Sequence, residues 1–219
     1  MTQTLKTAAL GLVAFLAAGC LIKDTTETWY VNAAGEVTWV VLEKDVRSDA
    51  KAAADRRTEE NEYWLAVQQQ RHPIAAGLQE MGGAKLRTLV LRSEAPYTVH
   101  TEARFTGLDE LGRRVMASVG ILGTSVVTRD GLAWEWTLVA RDPSSLMSIT
   151  EPSDEVGSVL ADAEALRVVL TSGRFVSAEG FSISDDQRVA TFNLKGQALG
   201  DKTEEPVVRL RLAWKSAQD

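Results

Sequence analysis

The chain has 219 residues, with 24 Lys and Arg against 30 Asp and Glu, a formal net charge of −6. That balance supplies no basic domain to attract nucleic acid, and a single cysteine excludes any internal disulfide. Hydrophobic content of 45% and charged content of 25% are ordinary globular proportions, so a sizeable core is expected.

Lys6 is the only charge before an apolar stretch, Ala8 to Ala18. This is a weakly positive segment followed by an apolar run of signal-peptide length. The run falls short of the roughly 20 apolar residues that a spanning helix needs. It ends Leu16-Ala17-Ala18-Gly19-Cys20, which resembles the lipobox of bacterial lipoproteins. The usual leucine three places before the cysteine is Ala17 here, with Leu16 one place earlier. The resemblance implies that Leu16 to Gly19 form the signal-peptidase recognition segment and that residues 1–19 are removed. It also implies that Cys20 is acylated on its sulfur and on its new amino group. Two or three chains, at about 0.8 kcal/mol per buried CH₂, make a stable anchor. In enteric-type bacteria an aspartate after the cysteine retains lipoproteins in the inner membrane. Leu21 stands there, which favours the outer membrane in a cell that has one. Cleavage removes one lysine and no acid, leaving 23 basic and 30 acidic side chains. On that count the mature chain is expected to gain no attraction to anionic lipid beyond its anchor.

The mature chain begins with a short tether, residues 20–28, before a domain expected over 29–219. Thr28 to Leu42 reads as a hairpin turning on Asn32-Ala33-Ala34-Gly35. Ser48 is expected to cap a helix running to about Gln70, dense in Ala, Arg, Glu and Gln. Pro73 restarts it, with Ile74, Leu78 and Met81 as an apolar stripe, and Gly82-Gly83 ends it. Leu86 to Leu91 reads as a strand. From Tyr97 to Phe105 the alternation is clear: Tyr97, Val99, Thr101, Ala103 and Phe105 on a dry face, and Thr98, His100, Glu102 and Arg104 on a wet one. Leu108, Leu111, Val115 and Val119 are spaced as a helix, with Thr106 and Asp109 as a capping box. Thr124 to Val139 is a second hairpin turning on Asp130-Gly131. Residues 141–163 lose the strand pattern and read as a loop with a short helix near Asp154 to Ala163. Strands resume at Leu166–Leu170, Arg174–Ala178, Arg188–Leu194 and Val207–Trp214.

The order predicts an α+β fold: mainly antiparallel sheets built from hairpins, with two or three helices packed on a face. One domain is favoured over two lobes divided near 141–163, because neither half alone offers a complete core.

No familiar catalytic constellation is present. His72 and His100 read as surface polar residues, no HExxH spacing or G-x-S-x-G elbow occurs, and the phosphate-binding glycine loops are missing. No cofactor, metal or catalytic residue is assigned. Glu59, Glu60 and Glu62, Asp185-Asp186 and Glu204-Glu205 are the acids from which a carboxylate-based hydrolase would have to be built. Adjacent acids in turns more often form the turn. Six tryptophans are more suggestive, and Trp134 and Trp136, on one face of a strand, are the candidates for contact with a ligand or partner. The reading is a lipid-anchored, non-catalytic protein of the cell envelope that binds an envelope protein or lipid partner. Its alternatives are a carrier with an aromatic-lined apolar cavity and, behind that, a carboxylate hydrolase.

Overall fold

The computed structural model describes residues 21–118, 121–141, 163–193 and 207–217. The lipobox and Cys20 therefore lie outside the described residues, as do most of the loop expected over 141–163 and Glu204-Glu205.

The first hairpin is longer than expected: β1 spans Leu21–Val31 and β2 spans Val37–Ser48. Leu21 pairs with Ser48, so Leu21 to Thr28 of the expected tether are the first part of a strand. Its turn is the one read from Asn32 to Gly35. Asn32 Oδ1 accepts from the backbone N–H groups of Ala34 and Glu36 at 3.0 and 2.9 Å. Gly35 adopts φ +84°, and a Cβ there would meet the Trp134 ring at 2.9 Å.

Two helices follow, α1 (Ala53–Gln68) and α2 (Pro73–Glu80). The first starts later than expected. Ser48 ends β2, and the residue before α1 is Ala52, which offers no side-chain cap. Then come β3 (Ala84–Arg92), β4 (Tyr97–Phe105) and α3 (Leu108–Ser118). The cap of α3 also differs in detail, because the Thr106 hydroxyl donates to Glu110. Of the expected α3 stripe, Leu108 and Leu111 are buried, Met116 joins them and Val115 packs at the edge; Val119 lies outside the described residues. The hairpin of β5 (Leu122–Asp130) and β6 (Ala133–Arg141) turns on Gly131-Leu132, one residue on from the expected Asp130-Gly131, because Asp130 still pairs with Ala133. The remaining strands are β7 (Ala163–Leu170), β8 (Arg174–Glu179), β9 (Ser182–Ile183), β10 (Val189–Asn193) and β11 (Val207–Lys215).

The architecture is α+β. A seven-stranded sheet has the order β3-β4-β2-β1-β7-β10-β9, and a four-stranded sheet has the order β5-β6-β11-β8. Every pairing is antiparallel except that of β1 with β7. The inner face of the larger sheet carries Trp29 and Val31 from β1, Val37, Trp39 and Val41 from β2, and Ala103 and Phe105 from β4. These residues form one core cluster with Ile74 and Leu78 of α2, Leu111 of α3, and Trp136, Leu210 and Leu212 of the smaller sheet. That cluster draws on residues from both sides of 141–163. A satellite cluster packs Tyr63 and Val67 of α1 on Val46, Tyr97 and Val99.

The three helices and the smaller sheet thus lie on one side of the larger sheet. Among the described residues, its other face carries no helix. Trp39 sits at the centre of the covered side, its ring 5.4 Å from Trp29 and 6.1 Å from Phe105. Trp39→Ala is expected to cost about 3–5 kcal/mol of stability, read as a lower urea midpoint with an unchanged slope. A loss below about 1 kcal/mol would mean that the ring is not part of a packed core.

Candidate functional site

The two tryptophans singled out from sequence have different environments. Trp136 is 1% exposed. It packs on Trp29 at 6.1 Å and donates its indole N–H to Ser125 Oγ at 2.8 Å. It is a core residue, and no ring face is left for a ligand. Trp134 is half-buried, stacked on Trp214 at 5.8 Å and 7°, with the Arg129 guanidinium 4.6 Å above its ring. It borders two shallow depressions of about 100 and 270 Å³. The expected acids are explained locally. Glu59 accepts from the Ser48 hydroxyl at 2.5 Å, Glu60 accepts from its backbone N–H at 3.3 Å, and Glu62 is exposed. Asp186 shapes a turn by accepting from Ser184 Oγ at 2.6 Å and from the Arg188 N–H at 3.1 Å.

His72 departs furthest from expectation. Read as a surface residue, it is fully buried, while His100 is half-exposed on the wet face of β4 as expected. His72 precedes Pro73 and adopts the extended backbone that a following proline imposes, with φ −68° and ψ 155°. This turns its ring under α1 and towards the inner face of β4. There Nε2 lies 3.1 Å from Thr101 Oγ1 and 3.7 Å from Glu43 Oε2.

Glu43 is 1% exposed and is the hub of this cluster. Lys23 Nζ is 2.9 Å from its Oε1, and Tyr63 donates its hydroxyl to Oε2 at 3.2 Å. A buried carboxylate is tolerated only with such partners. Burial pushes the Tyr63 phenol well above the usual tyrosine range, and the Glu43 carboxylate adds to the shift. Tyr63 therefore remains a donor. Burial likewise lowers the His72 value; Glu43 opposes the shift and Lys23 reinforces it. The cluster lies beneath α1, within the packed side of the sheet. Glu43, Tyr63 and Lys23 were not singled out in the sequence, since nothing in their spacing marks them.

The uncovered face of the larger sheet is the other candidate. Here Lys44, Arg104, Arg167, His100 and Glu102 line an open groove of about 750 Å³, together with Tyr30, Val40 and Leu42. The registers fix the layout. Arg167 pairs with Thr28, Thr28 with Val40, and Val40 with Glu102, forming one row across four strands. Tyr30, Thr38 and Arg104 form the next row. Arg87 stands opposite Glu102, and Arg47 opposite Ile22. Lys44, Arg47, Arg87, Arg104 and Arg167 are all exposed. None of the five makes a salt bridge among the described residues. Among the described side chains, the carboxylates on this face are Asp24 and Glu102, with Asp45 in the bulge of β2. A second open cleft of about 460 Å³ continues past Arg104 to Glu110 and Arg114.

Among the described residues, no three His, Cys, Asp or Glu come together in a way that would hold a metal ion. No described helix is long and apolar enough to cross a membrane.

No protein-family model matches the chain. No curated protein matches it either. Among solved structures, it is similar to the folded domain of the LppM protein of Mycobacterium tuberculosis, determined by NMR. The identity is 12% and the TM-score 0.40, over 90% of this chain and 91% of that one. It is also similar to the Mu homology domain of Fcho1 from Danio rerio, which was solved with a bound Eps15 peptide. There the identity is 7% and the TM-score 0.27, over 93% of this chain and 82% of that one. At these scores neither likeness bears on what this chain binds.

The His72 environment has a consequence for stability. Its folded value lies below the unfolded one, so the folded state holds this ring neutral. The stabilisation is complete above the unfolded value of about 6.5 and is lost as the pH falls below it. The urea midpoint is expected to drop between pH 7 and pH 5.5, and His72→Gln should flatten that slope. Equal slopes in the two proteins would show that His72 does not carry the effect.

Proposed function

We propose that this chain is a lipid-anchored protein of the bacterial envelope whose folded part is a binding module, with the uncovered face of the seven-stranded sheet as its contact surface. The observation that carries this reading is the position of β1. It begins at Leu21, immediately after the cysteine of the lipobox-like segment. Acylation at Cys20 would hold the N-terminal end of the central strand of this sheet against the membrane, with no tether between lipid and fold. Leu21 and Ile22 are 37% and 40% exposed at that end of the strand. They would be apolar neighbours of the lipid.

A non-catalytic role is favoured because the one buried, mutually hydrogen-bonded titratable cluster among the described residues, Glu43 with Tyr63, His72 and Lys23, sits beneath α1, packed away from any substrate. Catalysis needs such groups in a cleft, within reach of a reacting atom. A carrier needs an enclosed apolar void. Between the sheets, the rings of Trp29, Trp39 and Trp136 pack against one another and occupy that space. The open sheet face suits a broad contact, and Trp134 offers a smaller one on the other sheet.

The anchor is tested by growing cells that express the full chain with an alkyne analogue of palmitate. Label is expected on the wild-type protein and not on Cys20→Ala; an unlabelled wild type would sink the anchor. The surface is tested by placing a photo-crosslinking residue at Val40 or at Thr137, on the smaller sheet. Adducts are expected from position 40 in clear excess, and equal yields would remove the sheet face from the proposal.

A further inference from the structure

We infer that the uncovered sheet face docks on the anionic phospholipid surface of the membrane that holds the anchor, so that the domain lies flat on it. This rests on the proposed role of that face as the contact surface and names its partner.

The first argument is charge. The chain as a whole is acidic, at −6. Yet this face presents five exposed cations against the carboxylates of Asp24, Asp45 and Glu102, and its centre is an exposed Tyr30 beside half-buried Val40 and Leu42. Basic side chains around an aromatic and aliphatic middle suit the headgroup region of a bilayer. The overall count, which predicts no attraction to anionic lipid, averages over faces that differ in sign.

The second argument is spacing. Arg104 and Arg167 are separated by three strand-to-strand steps, about 14 Å. Thr38 is the partner of Arg104. Lys44 lies six residues further along β2 from Thr38, about 20 Å away. Cations this far apart cannot converge on one phosphate, as a small-ligand site would require. They match a partner whose negative charge is itself spread over a plane.

The third argument is delivery. Ile22 and Arg47 stand at the anchor end of this same face. With Cys20 acylated, the bilayer is within a residue or two of the face in every orientation, so docking becomes an intramolecular step at high effective concentration. Two or three acyl chains already retain the protein. What the face adds is orientation: the covered side, with its helices and the smaller sheet, points away from the lipid.

The test uses the mature chain from position 20 with Cys20→Ala, so that the acyl anchor plays no part. Removing residues 1–19 leaves every described element intact, since β1 begins at Leu21. Co-sedimentation is measured with phosphatidylcholine vesicles, with and without about a third of phosphatidylglycerol. Binding is expected only with the anionic lipid and should be lost at high salt. Each reversed cation should cost about fivefold. Lys44→Glu, Arg104→Glu and Arg167→Glu together should therefore weaken binding by more than about a hundredfold. Reversing Arg174, Arg209 and Lys215, which are exposed on the smaller sheet, should do far less. Circular dichroism checks that both variants fold. No binding to anionic vesicles, or equal losses in the two variants, overturns the inference. Binding to a soluble polyglutamate peptide without binding to vesicles also overturns it and assigns the face to an acidic protein. Because the protein is unlipidated, these outcomes are independent of the palmitate labelling at Cys20.

Discussion

Trp29 lies between Trp39 and Trp136, with ring centroids 5.4 and 6.1 Å away, and much of the structure follows from accommodating those three rings. Trp29 and Trp39 are cross-strand partners in the first hairpin, so pairing alone brings them together on one face. Trp136 comes from the other sheet. The contact therefore sets how the two sheets face each other and joins the first hairpin to β6. Rings of this size fill an inter-sheet layer, and they account for the absence of room for a ligand at that point. The side of the larger sheet they occupy becomes the covered side. Alternation then sends Thr28, Tyr30, Thr38 and Val40 to the other face, where the candidate contact surface lies.

A second constraint acts at the anchor end of the same sheet. Lys23, Thr25 and Glu27 share the inward parity of β1 with Trp29, and Glu27 is fully buried. Tryptophan and valine line that side further along, but here the neighbours are Glu43, Tyr63 and His72. The inner face thus changes character along a single strand, from apolar beneath the smaller sheet to polar beneath α1. Buried polar groups are costly when a partner is lost. This end of the sheet therefore depends on α1 supplying the Tyr63 hydroxyl and on the chain before α2 supplying His72. A domain held to a membrane at residue 20 would have its most strongly interdependent region nearest the anchor.

This division also explains what could be read from the sequence. The dry face of β4 is legible because Val99, Ala103 and Phe105 alternate with polar residues. Both hairpins are legible, the second to within one residue, because Asn32 to Gly35 and Gly131 carry their own turn chemistry. The beginning of β1 is not. Leu21 to Thr28 is mostly polar, and in a strand whose inward side meets a polar cluster the usual alternation is lost. It therefore resembles a tether although it pairs along its length with β2. The burial of His72 is not legible for a related reason. Its burial depends on α1 folding back over the sheet, a tertiary event with no local signature. The parallel pairing of β1 with β7 joins residues well over a hundred positions apart, and hydrophobic period cannot choose such partners. Ser48 has the look of a cap, since serine before a run of helix formers usually is one. Here its hydroxyl is committed to Glu59 across the first turns of that helix.

The sign of a protein's net charge is a weak guide to what its surface meets, and this fold shows why. Among the described residues, several acids lie where the sheet face does not reach. Glu59, Glu60 and Glu62 lie on α1, and Asp109 and Glu110 in the first turn of α3. Glu110 is held in its charged form first by the Thr106 hydroxyl and then by Arg114. These elements pack on the inner side of the sheet. The cations at Lys44, Arg104 and Arg167 belong to strands whose outward positions alternate with the core, so the same alternation that buries Glu43 and Val168 exposes Lys44 and Arg167. Fields at a surface decay within about 10 Å in physiological salt, so a partner at this face senses the local excess and not the distant acids. The local excess of cations is thus a consequence of the layered fold: strand parity delivers Lys44, Arg104 and Arg167 to the face that no described helix covers.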